Sequence, residues 1–225
     1  MNAAAKPYRL TFYFGLRSPY AWLAHRLISD QLPLSAQAEI EHIPFWDPEP
    51  ATLQALRTAG GEFLFRPMSR DRHLYILGDL KRLVARLGYR LKWPVDTPGQ
   101  NWELPHLACL AAQREGCDTK LRNRLFAARW KEGRNICDAR VLAAESADLS
   151  LGELGVLRGD AVQTLRRCYQ VGVFGLPYFA VGRERFWGVD RLPFALREAG
   201  LPWRPLSDVW MGVDATTAGV EGALA

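Results

Sequence analysis

The stretch that decides the fold is Phe14-Gly15-Leu16-Arg17-Ser18-Pro19-Tyr20. Before it, Arg9–Leu16 is rich in Thr, Phe, Tyr and Leu, which suit a pleated, buried surface. After it, Trp22, Leu23, Leu27 and Ile28 recur at helical spacing as far as about Gln31. Ser18 is a favoured helix cap. Pro19 suits the first helical position, where its missing N–H would have no partner anyway. The stretch is therefore a sharp strand-to-helix corner.

Outward from the corner, a short second strand is expected near Ile40–Phe45. From about Ala51 to Gln170 the chain reads as helices broken by Gly, Pro and capping residues. Helices are expected near Leu74–Leu87, Pro105–Glu115 and Thr119–Glu132, with Asp118, Asp138 and Asp160 as caps. The segment Trp93–Trp102, with Pro94, Pro98 and Gly99, reads as a loop. Strand signals return at Pro177–Val181 and Arg185–Trp187 around the turn Gly182-Arg183-Glu184. A last helix is expected from Asp190 to Ala199, stopped by Gly200 and Pro202. This order, strand–helix–strand, helical block, helix, hairpin, helix, is that of an α/β thioredoxin-like fold with a large all-helical insertion. The expected division is a split thioredoxin-like domain at 7–50 and 160–205, an insertion at 51–159 and a tail at 206–225.

Composition narrows the function classes. The 225 residues are 48% hydrophobic and 24% charged, enough for a real core and unlike a disordered chain. The net charge is +5, but Lys and Arg are scattered, and the clusters Arg66–Arg72 and Arg122–Arg134 also hold acids and aromatics. That favours a small-anion pocket over a nucleic-acid surface. No apolar run reaches membrane-span length. Met1–Pro7 lacks the apolar core of a secretory signal, so a cytoplasmic protein is expected. Cys109, Cys117, Cys137 and Cys168 form no CxxC pair and have no zinc spacing, and the four histidines show no HxxxH or HExxH pattern. No metal site is expected.

Three motifs carry chemistry. At the corner, a helix N-terminus offers unpaired N–H groups and partial positive charge, which stabilise an anion. Redox thioredoxins place CxxC there, where the thiol pKa falls. Ser18 cannot cycle a disulfide, but its hydroxyl can donate to a thiolate brought by a cofactor; the plainer reading is a cap alone. In Val173-Phe174-Gly175-Leu176-Pro177-Tyr178-Phe179, a proline opens a central-looking strand. A cis Leu176–Pro177 bond would free the Leu176 backbone for an extended ligand; an ordinary turn proline is the alternative. In Phe186-Trp187-Gly188-Val189-Asp190-Arg191-Leu192, Asp190 is either a cap or a carboxylate for a ligand ammonium.

Together the motifs resemble the 2-hydroxychromene-2-carboxylate isomerases and kappa-class glutathione transferases, a branch of the DsbA-like thioredoxin superfamily. Weaker echoes lie at Tyr75…Asp79-Leu80-Lys81-Arg82, Trp93-Pro94 and Trp130-Lys131-Glu132-Gly133…Ile136…Asp138, so the resemblance runs to about Leu201. It implies glutathione as cofactor. Ser18 matches the serine at the glutathione sulfur. Leu176, before Pro177, matches the residue pairing with the cysteinyl part. Trp187, Gly188, Val189 and Asp190 match the stretch holding the γ-glutamyl end. Gly15 stands where the family usually has an acid, and Val189 where it usually has a polar residue. Trp46–Arg70 matches poorly.

The leading expectation is an isomerase of a conjugated alkene in a small aromatic or polyene-like molecule. Ser18 would be catalytic. Arg17, Tyr20, Trp46, Arg66, Arg70, Trp93, Trp130 and Arg134 are candidates for the substrate pocket, with Trp102 a further wall. A glutathione transferase would use the same site, and a non-catalytic binding protein is the third reading. The missing CxxC argues against a disulfide oxidoreductase. The expected partner is a small molecule, with neither nucleic acid nor membrane. Relatives often dimerise, so a homodimer is an expectation by analogy alone.

Overall fold

The computed structural model describes residues 8–94, 96–149 and 154–203; the expected tail at 206–225 lies outside them. Strand β1, Leu10–Phe14, enters helix α1, Pro19–Gln31, through the corner. A short α2, Leu34–Ala38, leads to β2, Glu41–Pro44. The two strands run parallel, with Thr11 opposite Glu41 and Phe14 opposite Pro44. Late in the chain, β3 (Tyr178–Val181) pairs antiparallel with β1, and β4 (Glu184–Trp187) antiparallel with β3. The sheet order is β2-β1-β3-β4. The central β1 is completed only when the C-terminal hairpin returns to it.

Between the halves lie α3 (Pro50–Thr58), α4 (Arg70–Arg86), α5 (Glu103–Arg114), α6 (Asp118–Trp130), α7 (Ala139–Glu145) and α8 (Arg158–Val171). A 3-10 turn at Leu154–Leu157 runs straight into α8; another, Val189–Arg191, runs into α9, Leu192–Glu198. The expected α/β thioredoxin-like architecture with inserted helices is what forms.

The period-two alternation of β1 splits the interior into two layers. Leu10, Phe12 and Phe14 face Trp22, Leu23 and Leu27 of α1, Leu80 of α4, Phe126 of α6 and Leu192 of α9. Tyr13 faces the other way, towards Ile43, Leu56 of α3, Leu165 of α8 and Tyr178. Helix α5 serves both layers: Ala108, Cys109 and Ala112 join the first, Leu107, Leu110 and Ala111 the second. A helix that is apolar nearly all round is a buried one, and α5 reaches the β1–α1 corner through His106, which accepts from Leu16 N–H.

Three expected caps take other roles. Asp118 is the first residue of α6, with Cys117 in the cap position. Asp160 lies inside α8 and pairs with Arg114, and Asp190 lies within the second 3-10 turn. In the last two cases the 3-10 turn feeds the helix directly and leaves no free cap position. Asp138 does cap α7, accepting from Arg140 N–H at 2.8 Å. Helix α4 begins four residues before the expected Leu74, because Ser69 caps it.

Candidate functional site at the β1–α1 corner

Ser18 closes the corner. Its N–H donates to the Gly15 carbonyl at 3.0 Å, and its Oγ accepts from Ala21 N–H at 3.2 Å. The cap reading is therefore correct. It does not exclude the other, since a hydroxyl that accepts through a lone pair keeps its own proton to donate. Helix α1 has no acid in its first turn, so the positive end of its dipole is not neutralised from within.

The other two motifs converge on this corner. The Leu176–Pro177 bond is cis. A Cβ on Gly15 would lie 2.6 Å from Leu176 Cδ1 and 2.7 Å from the Phe45 carbonyl oxygen, so these segments are in contact. Gly188 N–H donates to the Pro177 carbonyl at 3.0 Å. The Trp187 indole lies over Gly175, where a Cβ would come within 2.6 Å of Nε1. Trp187 is 50% exposed and meets the 45% exposed Phe174 edge-on, offering an open aromatic surface beside the cis bond. The Asp190 carboxylate is exposed, folded back over Gly188 and 3.6 Å from Arg191. Val189 is buried among core residues, where a polar side chain would be unpaired.

Residues 9–199 match the DSBA-like thioredoxin domain. The chain belongs to that family. Within it, this DSBA-like protein is similar to the 2-hydroxychromene-2-carboxylate isomerase of Sphingobium xenophagum, with 26% identity over 197 residues, spanning 82% of this chain and 94% of that one. A solved structure of a 2-hydroxychromene-2-carboxylate isomerase superposes with a TM-score of 0.59 at 24% identity, covering 85% of this chain and 93% of the other. A probable DsbA oxidoreductase from Streptomyces coelicolor gives the same TM-score at 17% identity, covering 97% and 93%. Both structures share the fold.

In this DSBA-like domain the pocket candidates divide. Trp46 and Trp130 turn inward, at 3% and 2% exposure, and both are committed to the interior. The Trp46 indole stacks on His106 at 5.4 Å and donates to Glu103 at 3.3 Å. Trp130 donates from Nε1 to the Leu16 carbonyl at 2.9 Å. They support the corner and do not wall a pocket. Trp102 is likewise buried, with the guanidiniums of Arg17 and Arg129 over its ring at 5.1 and 4.5 Å. Trp93 is 38% exposed and meets Trp130 in a T-shaped contact at 6.2 Å. Tyr20 donates to Asp79 of α4 at 2.6 Å; burial and that bond push its phenol well above the usual range. Arg134 is held by Glu132 and Glu145 at 2.9 and 2.5 Å, which removes it as a free cation. Arg66 and Arg70 are exposed and, among the described residues, form no ion pair.

Arg17 is half exposed and bridges Asp47 at 3.0 Å and Asp96 at 3.2 Å. Asp96 also holds the buried Arg129 at 2.9 Å. The loop Trp93–Trp102 is thereby tied to the corner and to α6. Two residues that sequence reasoning missed stand out: His106 and Asp96. No local pattern marks either, because Leu16, which His106 holds, and Arg17 and Arg129, which Asp96 holds, are far away in the chain. Burial pushes the Cys109, Cys137 and Cys168 thiols up to about 12. Among the described residues no cluster of His, Cys, Asp and Glu could hold a metal, and no helix is long and apolar enough to cross a membrane. A cavity of about 430 Å³ at the far end of the sheet, lined by His25, His42 and Arg122 among others, includes none of the corner residues.

Proposed function

We propose that this protein is a glutathione-dependent isomerase acting on a conjugated alkene in a small aromatic or polyene-like substrate. 2-Hydroxychromene-2-carboxylate is the first candidate. The observation that carries this reading is a hydroxyl, Ser18, at the α1 N-terminus, where thiol-bearing members of the fold place cysteine. The likeness to the Sphingobium isomerase over most of both chains supports the reaction class.

The residues fit glutathione by their donor and acceptor chemistry. Ser18 has a proton to donate to sulfur. Among the described residues the Leu176 main chain takes no main-chain partner, which suits pairing with an extended tripeptide. The exposed Asp190 carboxylate suits an ammonium group. When bound, glutathione would supply a thiolate that adds to the conjugated double bond, lets the resulting single bond rotate, and leaves again. Ser18 and the α1 N-terminus would hold the sulfur charge. Arg66 or Arg70 would meet a substrate carboxylate or enolate, and the exposed part of Trp93 would carry its ring.

The test has two parts. Calorimetry should show glutathione binding that Asp190→Ala weakens by about 1 kcal/mol or more, the scale of a lost charge-assisted hydrogen bond. Spectrophotometry of 2-hydroxychromene-2-carboxylate should show isomerisation that requires glutathione. A stable conjugate in place of an isomer would mean a transferase. No binding at millimolar glutathione would remove the cofactor from the reading.

A further inference from the structure

We propose that His106, seconded by Trp130, is a positioning residue for the Ser18 hydroxyl. The inference rests on the glutathione reading above. Leu16 lies between the end of β1 and Ser18 and is fully buried. Its peptide groups have left the sheet ladder, and buried main-chain groups need partners. Both partners are side chains of the inserted helices. The Leu16 N–H donates to His106 Nε2 at 3.1 Å, and the Leu16 carbonyl accepts from Trp130 Nε1 at 2.9 Å.

His106 is set up to accept. Its Nδ1 lies 2.6 Å from the Trp102 carbonyl, which can only accept, so Nδ1 carries the proton and Nε2 the lone pair. Burial lowers its pKa to about 4, and Arg129 of α6 acts in the same direction, so the ring is neutral near pH 7. Trp46 covers its face at an interplanar angle of 16°. Glu103 in turn holds the Trp46 indole and accepts from Thr52 and from Glu49 N–H. The imidazole therefore has one tautomer and one orientation.

The chain path explains why this matters for Ser18. The Ser18 N–H bonds the Gly15 carbonyl across a turn that contains Leu16 and Arg17. Fixing both polar groups of Leu16 fixes the peptide planes inside that turn. Those planes set the direction of the Ser18 Cβ, and hence the hydroxyl.

The experiment compares wild type, His106→Phe, which keeps the ring and removes both bonds, and His106→Gln, whose amide oxygen can accept from Leu16. Glutathione affinity, kcat and KM of the isomerisation, and hydrogen exchange at the Leu16 amide are measured on each. The expected result is faster Leu16 exchange in His106→Phe, with affinity or kcat reduced by about tenfold, the effect of one lost hydrogen bond. His106→Gln should recover most of both. Trp130→Phe removes only the indole N–H and should give a smaller loss of the same kind, including where His106→Phe does not fold. Fast Leu16 exchange with unchanged affinity and kcat would overturn the positioning role while leaving the glutathione reading intact. A wild type that neither binds nor uses glutathione overturns both.

Discussion

A Cβ placed on Gly15 would sit 2.7 Å from a main-chain oxygen of Phe45 and 2.6 Å from Leu176. Main chain cannot move aside as a side-chain tip can. Gly15→Ala should therefore cost about 1–3 kcal/mol in urea unfolding, the range of overpacking; a cost under about 0.5 kcal/mol would mean the contact is loose. Ser18 allows a sharper separation. Asp caps helices as well as Ser, and an acid at a helix N-terminus is favourable. Ser18→Asp should hold the melting temperature, whereas Ser18→Ala should lose about 1 kcal/mol of stability. Both should lose thiolate binding, Asp by repulsion. If Ser18→Asp binds glutathione as wild type does, Ser18 is a cap and nothing more.

Among the elements, the loop between α4 and α5 depends most on one side chain. Asp96 joins Arg17 of the corner to Arg129, which is 3% exposed and whose pKa burial pulls below the usual arginine value. Breaking a buried pair from one side costs about 3–5 kcal/mol. The Asp96 side chain is 28% exposed, so water softens the loss. Asp96→Asn should cost about 2 kcal/mol by denaturant titration, and Trp93 fluorescence should report a loosened loop. This tie was not legible in the sequence, because charge along a loop carries no record of its partner. The corner itself was legible, since Ser18, Pro19 and the α1 periodicity are local signals. Residue type says that the indoles of Trp46 and Trp130 will be covered, and not by what, so sequence does not separate a pocket wall from the interior they occupy. Asp160 and Asp190 looked like caps because a 3-10 lead-in leaves no mark that distinguishes it from a loop.

Over the whole molecule, the order of elements along the chain followed from strand signals at its two ends, while the two-sided burial of α5 had no single-face pattern to announce it. Burial also sets an acid response. The pKa of His106 falls to about 4 and that of His25 to about 3, and His42 lies well below its ordinary value. Burial dominates in each; Arg122 and Arg26 add to it at His25, Arg122 and His25 at His42, and Arg129 at His106. These histidines stay neutral when folded and take up protons near pH 6.5 when unfolded. The unfolded state then binds more protons, so stability falls as pH drops from about 6.5 towards 4, by up to about 1.4 kcal/mol per unit for each group. Urea midpoints from pH 8 to 5 should show this, with a shallower slope in His106→Gln; a flat profile would contradict the buried neutral state. The thiols carry a different consequence. With Cys109, Cys137 and Cys168 at about 12, only about one in 10⁵ of each is ionised at pH 7. Disulfide exchange and alkylation need the ionised form. These three sulfurs are thus poor nucleophiles towards electrophiles and oxidised glutathione, so if the proposed alkene binds at the corner, none of them competes readily for it.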